Sequence, residues 1–165
     1  MTWNDSYTLP PEVSEIDLAY TAGLLDGEGC ISISKQKPNG WGRINTSHRL
    51  FVKITIGQEE VLNHLRELFQ IGSIHIQRHK RYNDGYAWWI ASLQAVALLR
   101  LLYPYLRIKH KEADIAFEFA ETYWQRGSSN RLPPKVVQER ERLYLKLQKA
   151  KPSYKFRHPD EDDDA

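Results

Sequence analysis

The segment Asp26-Gly27-Glu28-Gly29 sets two carboxylates two residues apart, where a helical stretch gives way to an extended one. A helix that stops there leaves its last backbone carbonyls without intrahelical partners, beside a carboxylate. One carboxylate and one carbonyl, with water and a phosphate completing the shell, make the all-oxygen environment that Mg²⁺ takes. An acid at a helix C-terminus also meets the negative end of the helix dipole. A bare solvated carboxylate is therefore disfavoured there, and a cation is welcome. Cys30 is the only cysteine, which excludes an internal disulfide and a cysteine-rich zinc site and predicts a reducing, intracellular compartment.

The helix that must position these acids opens at Ser14-Glu15-Ile16-Asp17. Ser14 suits the N-cap, and Asp17 suits the positive helix end. The helix runs through Ile16 to about Gly27, and Ala19, Gly23 and Gly27 recur every four residues along one stripe, with Ala22 beside it. Glycine in a helix costs about 1 kcal/mol against alanine, so the stripe predicts a close approach of backbone. The approaching element is either this chain's own sheet or another helix.

Period-two patterns follow. From Cys30 to Lys37, Ile31 and Ile33 take one face and Ser32, Ser34 and Gln36 the other. After a turn at Pro38-Asn39-Gly40, Leu50, Val52, Ile54 and Ile56 alternate with Arg49, Phe51, Lys53 and Thr55. A helix over 59–69 precedes a second hairpin, in which Ile74 and Ile76 oppose Ser73, His75, Gln77 and His79. Its turn falls near Asn83-Asp84-Gly85, and Trp88 and Ile90 then oppose Ala87 and Trp89. Ser92 caps a helix ending at Leu102. Further helices are predicted over 111–124 and, after Pro133-Pro134, over 136–150. The fold class is α+β, an αββαββα subunit with further helices, whose four-stranded antiparallel sheet carries helices on one face. Residues 14–150 form the domain, 1–13 an N-terminal extension, and 151–165 an acidic tail expected to lack fixed structure.

Net charge is +2. That value conceals a block over residues 29–111 with 13 Lys and Arg against four acids, preceded by 28 residues with six acids and no base. The block is either a polyanion-binding face or a solvated surface. No apolar run reaches the roughly 18 residues that span a bilayer, and the acidic, polar N-terminus does not read as a signal peptide. No membrane association is expected.

Thr21-Ala22-Gly23-Leu24-Leu25-Asp26-Gly27-Glu28-Gly29 resembles the motif that names the LAGLIDADG family of homing endonucleases. Ala22, Gly23, Leu24, Asp26 and Gly29 match outright. Leu25 and Glu28 are conservative replacements, whereas Thr21 and Gly27 depart from the pattern. Two hairpins separated by a helix follow the motif, as in the family; the forty C-terminal residues add nothing specific to the resemblance.

The resemblance implies a saddle-shaped sheet and a site-specific double-stranded DNA endonuclease that cuts across the minor groove and leaves short 3′ overhangs. One motif per chain implies a homodimer, paired through the helix stripe of Ala19, Ala22, Gly23 and Gly27. It implies a metal site at Glu28 with the Gly27 carbonyl, Mg²⁺ as cofactor, Mn²⁺ as a substitute, and Ca²⁺ supporting binding without cleavage. Gln58 would orient the hydrolytic water and Lys109 would stabilise charge on the phosphate, whereas Asp26 is mostly structural in the family. The open sheet face would read the major groove through Ser32, Ser34, Gln36, Arg49, Lys53, Thr55, His75, Gln77, His79 and Trp89. A strand of about eight residues follows roughly eight base pairs, so two subunits would cover a pseudo-palindrome of about sixteen to twenty. Relatives that do not cut, and instead assist RNA splicing or regulate transcription, form the alternative, as does a small interaction domain with an incidental basic block.

Overall fold

Ser14 starts the first helix: its Oγ accepts from the Asp17 N–H at 3.2 Å and donates to the Asp17 carboxylate at 2.6 Å. A computed structural model describes residues 12–37, 46–78, 85–123 and 132–151. The turn at Pro38-Asn39-Gly40, Asn83-Asp84, His79, Trp124, nearly all of the N-terminal extension and the tail after Lys151 lie outside the described residues. Helix α1 (Glu15–Glu28) leads without a loop into β1 (Gly29–Gln36), followed by β2 (Ser47–Ile56), α2 (Glu59–Phe69), β3 (Ser73–Gln77) and β4 (Gly85–Ala91). Then come α3 (Ser92–Leu102), a 3-10 turn (Tyr103–Tyr105), α4 (His110–Glu121) and α5 (Pro134–Ala150).

The strands form one antiparallel sheet in the order β1-β2-β4-β3. Residues directly opposite each other share a face, so the register sorts every side chain. Ile31 pairs with Val52, Ile33 with Leu50 and Ile54 with Trp88 on one face, while Ser32 pairs with Phe51, Ser34 with Arg49 and Lys53 with Trp89 on the other. The first set is fully buried against the helices. Ala22 and Leu25 of α1, Leu62 and Phe69 of α2, Leu98 and Leu99 of α3, and Phe119 of α4 complete that core. Trp88 keeps its Nε1–H satisfied by the Ile71 carbonyl at 3.0 Å. The chain turns there through Gly72 at φ +74, where a Cβ would stand 2.7 Å from Trp88 Nε1, so only glycine fits.

Two local expectations change. Ser92 is not the cap of α3 but its first residue, at φ +54, with Ala91 in the cap position. Strand β4 runs straight into the helix, and the reversal falls on Ser92 itself. Helix α5 is more tightly docked than its polar composition suggests. Arg140 is buried, donates to the Thr122 hydroxyl at 2.8 Å and to the Thr122 carbonyl at 3.1 Å, and so fastens α5 to the end of α4. Glu141 accepts from Lys35 Nζ at 2.6 Å and lies 2.8 Å from His48 Nε2, fixing α5 to the helix-covered face of β1 and β2.

Candidate active site

Helix α1 ends where β1 begins, and the last four carbonyls of a helix need outside partners. The Gly29 N–H reaches the Leu25 carbonyl. A Cβ at Gly29 would stand 2.5 Å from that oxygen, so glycine is needed for the helix to pass directly into the strand. The Asp26 carbonyl accepts from Lys109 Nζ at 2.5 Å. The Gly27 carbonyl has no partner among the described residues.

The two acids of the motif part company. Asp26 is buried, and its carboxylate accepts the backbone N–H groups of Arg107, Ile108 and Lys109 at 2.6, 3.2 and 3.0 Å. It therefore holds the turn that delivers Lys109, the N-cap residue of α4. Glu28 is exposed and has no hydrogen bond or ion pair among the described residues. A free carboxylate, a free carbonyl one residue before it and no soft ligand form an all-oxygen donor set that fits Mg²⁺. Among the described residues no three His, Cys, Asp or Glu side chains converge to hold a metal alone. A cation held there would need water or another ligand to complete its shell.

Gln58 is exposed at the N-cap of α2. Gly29 at the start of β1 pairs with Ile54, so Ile56-Gly57-Gln58 runs on past the edge where α1 ends. Glu28 and Gln58 thus leave the fold at the same end of the sheet. A cavity of about 250 Å³ opens at the foot of α1, lined by Asp26, Gly27, Cys30, Lys109, Glu112 and Lys151, among others. Glu112 is buried and has no hydrogen bond or ion pair among the described residues. Sequence reading missed Glu112 and Lys151. Glu112 reads as an ordinary first-turn acid, and Lys151 as the first residue of a tail expected to lack fixed structure.

On the open face, Ser34, Gln36, Arg49, Lys53, His75, Gln77 and Trp89 fall on one side, as their register requires. Phe51 and Trp89 stack there with centroids 4.1 Å apart and planes 13° apart. Two members differ from expectation. Ser32 faces the same side but is buried, with its Oγ accepting from Lys151 Nζ at 2.8 Å. The Thr55 hydroxyl is covered and has no partner among the described residues, so it is not an outward donor. His79 lies outside the described residues.

The helix stripe is also corrected at one position. Ala22 is fully buried in the subunit's own core and cannot meet a second helix. Ala19, Gly23 and Gly27 are exposed. A Cβ at Gly23 or Gly27 would meet nothing within 4 Å, so packing inside the subunit does not require either glycine. Ile16, 80% exposed, and Tyr20, 52% exposed, continue the same side of α1.

A family model described as LAGLIDADG endonuclease matches residues 21–118. A search of curated proteins gives no match. Among solved structures, the fold is similar to the homing endonuclease I-CvuI in complex with the I-CreI target, with a TM-score of 0.70 and 19% identity over 86% of this chain and 85% of that one. It is also similar to the archaeal intron-encoded homing endonuclease I-Vdi141I complexed with DNA, with a TM-score of 0.68 and 17% identity over 87% and 90% of the two chains. I-LtrWI bound to its target DNA gives a TM-score of 0.66 at 15% identity, with 86% of this chain covering 47% of that one. At such identities the likeness to these structures is one of fold.

Proposed function

The chain belongs to the LAGLIDADG endonuclease family, and from that premise we propose that it is a site-specific, Mg²⁺-dependent double-stranded DNA endonuclease acting as a homodimer. The observation that carries this reading is the junction at the foot of α1. There the Lys109 ammonium sits 2.5 Å from the carbonyl of Asp26, the residue before Gly27, and among the described residues the Gly27 carbonyl and the Glu28 carboxylate have no partner.

Glu28 and the Gly27 carbonyl would hold the cation. Bound Mg²⁺ would supply Lewis-acid stabilisation of charge on the scissile phosphate. Lys109, fixed by the Asp26 backbone oxygen and by the turn beneath it, places a positive charge where negative charge develops. Gln58, at the same end of the sheet, can orient the attacking water by hydrogen bonding. The open face would lie in the major groove, where Arg49, Lys53, His75 and Gln77 offer donors and acceptors to base edges.

Pairing of two α1 helices is supported by the exposed Ile16, Tyr20, Ala19 and Gly23, a stripe the subunit does not use. Two chains would supply one site for each DNA strand, and two Glu28 carboxylates brought close would repel unless cations stood between them.

Selection of cleaved duplexes from a randomised library in Mg²⁺ tests the proposal. One pseudo-palindromic family of cut sites is expected. Duplexes that are retained but never cut would instead support a binding role without cleavage.

A further inference from the structure

Lys151 follows the last turn of α5, and its ammonium donates to Ser32 Oγ at 2.8 Å and to Cys30 Sγ at 3.4 Å. Neither acceptor is a carboxylate, and no described acid forms an ion pair with this lysine. Its position across the sheet is informative. Helix α5 is fastened to the helix-covered face through Glu141, Lys35 and His48. Cys30 and Ser32 lie on the other face, opposite Lys53 and Phe51. Lys151 therefore crosses from one face of the sheet to the other around β1, which is an outer strand. It also lines the cavity that Gly27 and Lys109 line.

We propose that Lys151 is a phosphate-contacting residue of the DNA face, carried by α5 around the β1 edge to the strand position where Ser32 lies covered. The inference rests on the DNA-binding reading above but not on cleavage. Burial of Ser32 beneath Lys151 means that a ligand approaching β1 meets an ammonium before it meets the hydroxyl. With Lys53 directly across from Cys30, the open face holds two cations at this level of the sheet. The acids of the neighbouring cavity do not cancel Lys151 by contact: Asp26 is engaged by three N–H groups, and Glu112 forms no ion pair among the described residues. A DNA backbone is the partner that such a placement fits, since a phosphate takes a lysine as a point charge. Lys151 is thus a positioning residue at the margin of the site and takes no part in the chemical step.

The test is the salt dependence of duplex binding in Ca²⁺, which needs no turnover. Each phosphate contact contributes a slope of about −0.9 in log affinity against log salt. The variant Lys151→Met is expected to make the slope shallower by about one for each bound subunit, and to weaken all sequence variants of the site equally. Lys151→Arg should restore the slope. Lys146→Met, which removes only the surface pair with Glu118 at 2.6 Å, should leave it unchanged. Thermal unfolding of each variant separates loss of fold from loss of contact. A Lys151→Met protein that melts with wild type yet keeps the wild-type slope would overturn the inference, as would one that changes base preference instead. Binding that follows these slopes without any cleavage in Mg²⁺ would leave the inference standing and count only against the endonuclease reading.

Discussion

At the scale of residues, the spacing of Asp26 and Glu28 hides a division of labour set by hydrogen bonding. An ionised carboxylate has about four acceptor directions, and three of Asp26's are taken by the 107–109 backbone. Asp26→Asn replaces one acceptor oxygen with a donor that faces N–H groups. It should cost about 1–3 kcal/mol, lowering Tm by roughly 2–4 °C per kcal/mol for a chain of this size, and it should slow cleavage by displacing Lys109. Glu28→Gln touches no described partner, so stability should stay within about 0.5 kcal/mol of wild type. Cleavage should vanish while specific binding in Ca²⁺ persists. Calorimetry with single-turnover cleavage separates the two variants; residual cutting by Glu28→Gln within about tenfold of wild type would remove Glu28 from the chemistry. The place of Glu28 and Gly27 at the end of α1 was legible because the motif is contiguous. Lys151 and Glu112 were not, because no spacing within α5 or α4 tells which strand or cavity lies beneath.

At the scale of elements, the faces of all four strands were readable, since a one-residue shift in register would turn every buried Ile and Val outward. Which polar side chains stay accessible was not readable, as the covered Ser32 and Thr55 show. Of those that remain outward, Gln77 on β3 is expected to set base preference: a good bidentate base contact is worth about 1–3 kcal/mol of discrimination. Gln77→Ala should relax one symmetric pair of positions, whereas Lys109→Met should slow every site with little change in preference. A cleavage profile over all single-base variants distinguishes them, and the reverse pattern would place the reading face wrongly. Helix α5 makes a separate prediction. The Lys35 hydrogen bond, helped by His48 and opposed by partial burial, lowers the Glu141 pKa below the ordinary glutamate value. A depressed folded-state pKa contributes stability above the unfolded value, and that stability is lost as pH falls through the folded one. The loss should begin below about pH 4.3. Glu141 is about one-third exposed, so solvent screening limits the pair to about 1 kcal/mol or less. Glu141→Gln should accordingly flatten that acid limb, and urea titrations from pH 3 to 6 would show whether it does.

At the scale of the whole molecule, the subunit leaves one side of α1 uncovered while burying the other completely. Thr21, Ala22, Leu25 and Asp26 face inward, and Ile16, Ala19, Tyr20, Gly23 and Gly27 face outward. Pattern alone could not say whether the glycines served the chain's own sheet or another helix. The backbone decides against the sheet, because nothing lies within 4 Å of a Cβ placed at Gly23 or Gly27. Two glycines inside a helix cost about 1 kcal/mol each against alanine, and the isolated subunit gains no contact in exchange. Close approach by a second α1, as proposed above, would account for them and would also cover Ile16 and Tyr20. The protein should therefore scatter light at micromolar concentration as twice its 19.3 kDa chain mass. Gly23→Leu sharpens the test. A Cβ at this position meets nothing within 4 Å in the subunit, and leucine improves helix propensity over glycine, so the fold should persist with an unchanged circular dichroism spectrum. It would force two helices apart at their contact, an overpacking that costs about 1–3 kcal/mol in each of the two chains. The expected product is a folded monomer that binds DNA weakly and does not cut both strands in one encounter. A wild-type protein that is monomeric without DNA, or a Gly23→Leu variant that remains dimeric, would remove α1 from the interface and leave its glycines unexplained.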